Sequence, residues 1–240
     1  SRGLGDVYKR QIQNMGYEVV LVSSGAIAVG RNKLNMTSKP DSMRMKQAAA
    51  AVGQCSLMYL YDKFFGDYDK TVAQILLNAE DIEQEEKKEN LINTFNALLE
   101  MGVIPIVNEN DSVSYKEIES EDRLFGDNDM LSAVVAVLCR ARHLVILSDI
   151  DGFYDHDPRL YPNAKLIEQI DTIDDSVYAL AGGAGSRRGT GGMRTKLQAA
   201  ALQPPREPIP SSPTESTLKL YMILSKDCMP ELYSRGKSDL

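Results

Sequence analysis

The sequence predicts an α/β protein with a mainly parallel sheet and helices on both faces. Short apolar, β-branched runs recur at Glu18–Val22, 71–77, 103–107 and 144–147. They read as strands buried on both faces, as parallel sheets require. Polar or small residues follow each run, and then a stretch of helical periodicity. Strand and helix therefore alternate, which calls for right-handed crossovers and parallel pairing.

Composition bounds the size and the partners. The chain has 240 residues, 43% hydrophobic and 25% charged, enough for one sizeable domain or two small ones with a real core. A formal net charge of -7 without any Lys/Arg block argues against nucleic acid or an anionic membrane as partner. The three cysteines, Cys55, Cys139 and Cys228, are far apart and form no CxxC pair, which points to a reducing compartment rather than a disulfide framework or zinc site. With no signal peptide and no apolar run near the roughly 18 residues of a spanning helix, a cytoplasmic location is expected.

In chain order, residues 1–11 show no usable periodicity and lead abruptly into a helix end at 12–15 closed by Gly16. They are expected to be a non-native leader, with a first strand lost upstream. Glu18–Val22 empties into Ser23, Ser24, Gly25 and Ala26. Small residues at that place let backbone N–H groups approach a ligand, although an ordinary tight βα turn reads the same way. Residues 43–64 have helical spacing with only Gly53 as a breaker, and predict one long, largely buried helix. After the strand at 71–77, the acid-rich run 80–89 is expected to be the solvated start of a helix continuing through Leu91, Phe95, Leu98 and Leu99.

The most informative stretch is 107–131, VNENDSVSYKEIESEDRLFGDNDML. A strand runs straight into Asn108, Glu109, Asn110 and Asp111, and a helix starts after Gly126, Asp127, Asn128 and Asp129. Carboxylates and amides thus flank one strand–loop–helix corner, at the carboxyl ends of strands where open α/β sheets bind small ligands. Turn and cap chemistry alone would use the same residues. The strand at 144–147 ends at Ser148 and Asp149, and a glycine-rich segment, AGSRRGTGGMRTK (184–196), opens a helix near Met193. It reads either as a flexible loop or as an anion-binding nest with Lys196 as a point charge for a phosphate.

Six segments in order, VSSGAIAVG (22–30), KQAAAAVGQ (46–54), VNENDSV (107–113), FGDNDMLSA (125–133), LSDIDGFYDHDPR (147–159) and GTGGMRTK (189–196), closely resemble the glutamate 5-kinase family of the amino-acid kinase superfamily. The resemblance covers roughly residues 12–199. It implies a three-layer αβα sandwich (the amino-acid kinase fold) that transfers the γ-phosphoryl of ATP, with Mg²⁺, to the side-chain carboxylate of L-glutamate, the first step of proline biosynthesis. By motif position, Ser24, Asp111 and Asn128 hold glutamate. Ser148 and Asp149, with Thr190, Gly191, Gly192, Met193, Arg194, Thr195 and Lys196, hold the nucleotide. Asp129 orients the site and Lys196 stabilises the phosphoryl group in flight; no protein residue is assigned to metal. A homo-oligomer and feedback inhibition by proline are further expectations.

Phosphoryl transfer depends on positioning and cationic stabilisation, so the reaction can do without His or Cys. His143 and His156 are accordingly expected to be structural or surface residues. Two departures stand out. The family begins with a strand and a glycine/serine loop carrying another phosphate-binding lysine; nothing here matches it, and Lys9 lies in the leader. The stretch 202–240 fits no strand–helix continuation, whereas a shifted reading frame from about Ala200–Gln203 resembles the family's final strands and helix and stops before any C-terminal RNA-binding-like domain. Residues 200–240 are therefore expected to be a frameshifted tail that leaves a flank of the core uncovered. Competing readings are a kinase of the same superfamily for N-acetylglutamate, aspartate, carbamate or a nucleoside monophosphate, or a non-catalytic binding module on this fold.

Overall fold

The computed structural model describes residues 17–113, 128–147, 152–158, 160–181, 193–202 and 219–223. In chain order the elements are β1 (Glu18–Val22), α1 (Ala26–Lys33), α2 (Met43–Gly66), β2 (Val72–Leu77), α3 (Glu80–Glu83), α4 (Glu85–Glu100) and β3 (Ile104–Glu109). They continue with α5 (Asn128–Leu138), β4 (His143–Ile146), β5 (Phe153–Tyr154), β6 (Leu166–Ile167), α6 (Asp175–Ala181), α7 (Met193–Ala201) and β7 (Lys219–Ile223). Five strands form one sheet in the order β2-β3-β1-β7-β4, every pair of it parallel. Strands β5 and β6 form a separate antiparallel pair.

Burial explains the order. Strand β1 lies in the middle of the sheet, and Val19, Val20, Leu21 and Val22 are all at most 2% exposed. Alternate side chains of a strand point to opposite faces. Val19 and Leu21 accordingly join a cluster with Leu57, Tyr61 and Phe65 of α2 and with Ile104 and Ile106 of β3. Val20 and Val22 join another, with Phe95 and Leu99 of α4 and Leu131, Val135 and Ala136 of α5. Of the outer strands, β4 is half-buried throughout, and β2 buries only Ile75 and Leu77.

Helices α1 and α2 approach more closely than side chains would allow. A Cβ added to Gly53 would lie 1.7 Å from the Ala26 carbonyl oxygen, and one added to Gly30 would lie 1.7 Å from that of Ala49. The apparent breaker Gly53 is thus what lets α2 run unbroken past α1. The acid-rich stretch differs from its expectation of one helix, since Gln84 is extended (φ -87, ψ 115) and separates α3 from α4. Like charges three or four apart oppose a continuous helix there, and the Gln84 carbonyl instead accepts the Lys88 N–H at 2.9 Å as α4 begins.

One strand comes from the stretch expected to be a frameshifted tail. Lys219–Ile223 is a strand, β7, paired along its length with β1 on one side and with β4 on the other. Strand β1 therefore has parallel partners on both sides, β3 and β7. The apolar run that forms β7 was obscured by the Pro- and Ser-rich residues preceding it, and its strand partners are distant in sequence. Among the described residues, no helix is long and apolar enough to cross a membrane.

Candidate active site

Parallel strands bring their carboxyl ends to one edge of the sheet, and there the polar residues gather. The β1 chain continues into Ser23 and Ser24, which are 1% and 5% exposed. The Ser23 N–H donates to the Val107 carbonyl at 2.8 Å, extending the β1–β3 ladder by one bond. Gly25 then adopts φ +93, in the left-handed region that glycine tolerates, and turns the chain into α1. Ser24 is thereby held at the turn where the sequence placed it.

Strand β3 delivers the amide-rich corner. Asn108 is buried; its Nδ2 donates to Gln54 Oε1 at 2.9 Å, and its Oδ1 accepts the Glu109 N–H at 2.9 Å. The Asn110 N–H donates to the Leu77 carbonyl at 2.9 Å, tying the corner to the end of β2. Ser112 Oγ donates to Asn110 Oδ1 at 2.8 Å, and the Val113 N–H to the Asn110 carbonyl at 3.1 Å. Asp111, half-buried, lies inside this turn.

The helix expected after the corner starts at Asn128, and its first two residues face different partners. Asn128 Nδ2 donates to the Ser23 carbonyl at 2.7 Å, joining the α5 N-terminus to the end of β1. Asp129 is 6% exposed, and its Oδ2 accepts Lys196 Nζ at 2.7 Å. The Lys196 side chain is 17% exposed, so the pair is largely withdrawn from water. A carboxylate in the first turn of α5 also suits the positive end of the helix dipole. Ser132 Oγ donates to the Asp129 carbonyl within the same turn.

Three of the expected site residues are thus joined through two contacts: Asn128 to the β1 end beside Ser24, and Asp129 to Lys196. Lys196 lies on α7, which starts at Met193 as the glycine-rich segment implied. The Arg194 guanidinium sits 5.9 Å from the centroid of the Tyr178 ring on α6, while Thr195 is half-buried. Ser148, Asp149, Thr190, Gly191 and Gly192 lie outside the described residues. His143 is in outer strand β4, and His156 is exposed on the β5–β6 hairpin with Nδ1 3.3 Å from Asp155 Oδ1. Sequence reasoning named Ser23 and Asn108 only as parts of their loops and gave no role to Gln54 or to Tyr61, whose Oη lies 2.9 Å from Ser23 Oγ. The available signal for Gln54 was a glutamine inside the small-residue run 46–54.

The model of the amino acid kinase family matches residues 7–204, most of the chain. The chain belongs to the amino acid kinase family. Among its relatives in that family, it is 58% identical over 191 residues to "Glutamate 5-kinase" of Clostridium perfringens, covering 80% of this chain and 71% of that protein. It is 50% identical over 196 residues to the protein of the same name from Caldanaerobacter subterraneus, covering 80% of this chain and 51% of the relative. The "Glutamate 5-kinase" of Listeria innocua is 50% identical over 190 residues, at 79% and 68% coverage. As an amino acid kinase, the chain carries its acidic and cationic pair, Asp129 and Lys196, on helices that meet at the carboxyl ends of parallel strands.

Proposed function

We propose that this protein transfers the γ-phosphoryl group of ATP to the side-chain carboxylate of L-glutamate, giving glutamyl 5-phosphate and ADP, the first step of proline biosynthesis. The observation that carries the reading is Lys196 Nζ held 2.7 Å from Asp129 Oδ2, one residue from the Asn128 amide anchored on the Ser23 carbonyl. A cation and an amide-lined acceptor corner are thereby fixed side by side. Relatives named glutamate 5-kinase at 50% to 58% identity support the choice of acceptor. With it come the three-layer αβα sandwich, ATP and Mg²⁺, a cytoplasmic location and a homo-oligomer subject to feedback inhibition by proline.

The chemistry asks little covalent work of the protein. A glutamate side chain is ionised at neutral pH, so its oxygen can attack the γ-phosphorus without a general base. One P–O bond forms as the bond to the ADP oxygen breaks, and negative charge spreads over the transferring group. Lys196 supplies a fixed positive charge for that moment, and Asp129 keeps the ammonium in place. Ser24, Asp111 and Asn128 hold the amino acid; Ser148, Asp149 and the segment from Thr190 to Lys196 hold the nucleotide. Asp129 Oδ2 is engaged by Lys196, so Mg²⁺ would come in on the nucleotide and would supply neutralisation of phosphate charge there.

The test is ADP release by the purified chain with ATP and Mg²⁺, with glutamate supplied or withheld. Release that depends on glutamate supports the reading. Release that depends instead on aspartate, N-acetylglutamate, carbamate or a nucleoside monophosphate would assign another acceptor. A folded chain that binds these ligands without turnover would make it a binding module.

A further inference from the structure

Helix α2 buries two polar side chains whose partners lie at the ends of two different strands. Gln54 is 8% exposed and accepts from Asn108 Nδ2 at the end of β3. Tyr61 is 4% exposed, and its hydroxyl lies 2.9 Å from Ser23 Oγ just past the end of β1. Seven residues make two helical turns, so both side chains leave α2 on one face, about 10 Å apart along its axis. Their targets are already joined, because the Ser23 N–H donates to Val107, the neighbour of Asn108.

Burying an amide and a phenol on an otherwise apolar helix face gains little stability over Leu or Phe. What such contacts fix is orientation. Asn108 has both ends of its amide engaged, by Gln54 and by the Glu109 N–H, which sets the side chain in one pose. Ser23 has its hydroxyl near Tyr61 and its carbonyl accepting from Asn128, so the Tyr61 contact reaches the α5 N-terminus through one residue. The helix itself cannot slide, since Gly53, next to Gln54, is seated against the Ala26 carbonyl where α1 begins.

We infer that Gln54 and Tyr61 are positioning residues for the acceptor side of the site, acting through Asn108 and Ser23. Resting on the proposed reading that this corner receives the amino acid, the inference assigns to α2 the specificity for the acceptor and no part in holding ATP.

Tyr61→Phe removes only the hydroxyl, and Gln54→Met removes the amide at similar length. In the full chain, each should raise the KM for glutamate about fivefold or more and leave the KM for ATP within about twofold; the thermal midpoint should fall in Gln54→Met, which strands the Asn108 amide, and less in Tyr61→Phe. Gln54→Glu, which keeps an acceptor for Asn108, should recover part of the loss. Equal rises in both KM values, or an unchanged glutamate KM, would overturn the inference and leave Gln54 and Tyr61 as packing residues. If Gln54→Met fails to fold, Tyr61→Phe decides alone. Amide hydrogen exchange over residues 22–26 and 107–111 needs no substrate. It should quicken in Tyr61→Phe, and an unchanged rate there also overturns the inference. A parent chain that releases no ADP with glutamate refutes the functional reading instead, and exchange then decides the positioning.

Discussion

Lys196 reaches Asp129 at 2.7 Å in surroundings that leave the lysine side chain 17% exposed and the aspartate side chain 8%. A cation that acts on the transferring phosphoryl group acts mostly in the transition state. Lys196→Ala should therefore lower kcat by about 10²- to 10³-fold, by analogy with the loss of one preorganised donor to a developing oxyanion. Glutamate binding should change far less, and steady-state kinetics in both substrates separate the two effects; an unchanged kcat would remove Lys196 from the mechanism. Asp111→Ala and Asn128→Ala should act the other way round, raising the glutamate KM more than the ATP KM. A lost polar contact costs about 1–3 kcal/mol, and a rise confined to the ATP KM would mean the two substrates are placed in reverse. The placement of Ser24, Asn128, Asp129 and Lys196 at a strand end and at helix starts was legible because whole motifs carry them. Gln54 and Tyr61 were not, because a buried polar residue on a helix shows its purpose only through a partner far along the chain, here Asn108 and Ser23.

Elements answer to different forces. Gly53 and Gly30 let α1 and α2 touch backbone to backbone, and the atoms a new methyl would meet are carbonyl oxygens that cannot swing aside. Gly53→Ala should destabilise the fold by about 1–3 kcal/mol or more through overpacking. Gly66→Ala, in the last turn of the same helix with nothing within 4 Å of the added Cβ, should be neutral or slightly stabilising. Urea unfolding of both variants checks the contrast, and equal effects would show that the crossing has slack. Helix α6 is held instead by a cap. Asp174 Oδ1 accepts from Ser176 Oγ at 2.6 Å and from the Ser176 and Val177 N–H groups at 3.0 and 3.2 Å. The Ser176 hydroxyl, and after it the Val177 N–H, hold the Asp174 carboxyl below its ordinary value of 3.8. With the folded value below the unfolded one, the cap's stabilisation is present above 3.8 and is lost as pH falls through the lowered value. Asp174→Ala should speed exchange of the α6 amides at neutral pH, once rates are corrected for intrinsic exchange, and the excess should vanish in acid. Strands β1 and β3 and helix α2 could be read from uninterrupted apolar patterns, whereas the break at Gln84 could not, because charge repulsion within a helical pattern leaves its period intact.

At the scale of the molecule, β7 governs cohesion. It lies between β1 and β4, and without it the sheet would divide into β2-β3-β1 and an isolated β4. A chain ending at residue 202 should therefore be poorly soluble and lose cooperative unfolding, since two apolar strand edges would face water. Sedimentation and urea titration against the full chain test this; a soluble, cooperatively folding truncation would show that β7 is dispensable. The strand escaped sequence reading because nothing near it in the chain announces a parallel partner, and both of its neighbours come from earlier in the sequence. That placement has a consequence for synthesis. A ribosome delivers β1 long before β7, so from the emergence of β1 until that of β7 the nascent chain carries an open seam in the middle of its sheet. Unpaired edges of that kind are what chaperones shield and what crowded neighbours capture. Slower elongation after β4 would prolong the exposure, and the yield of native protein would follow the pace of translation between β4 and β7.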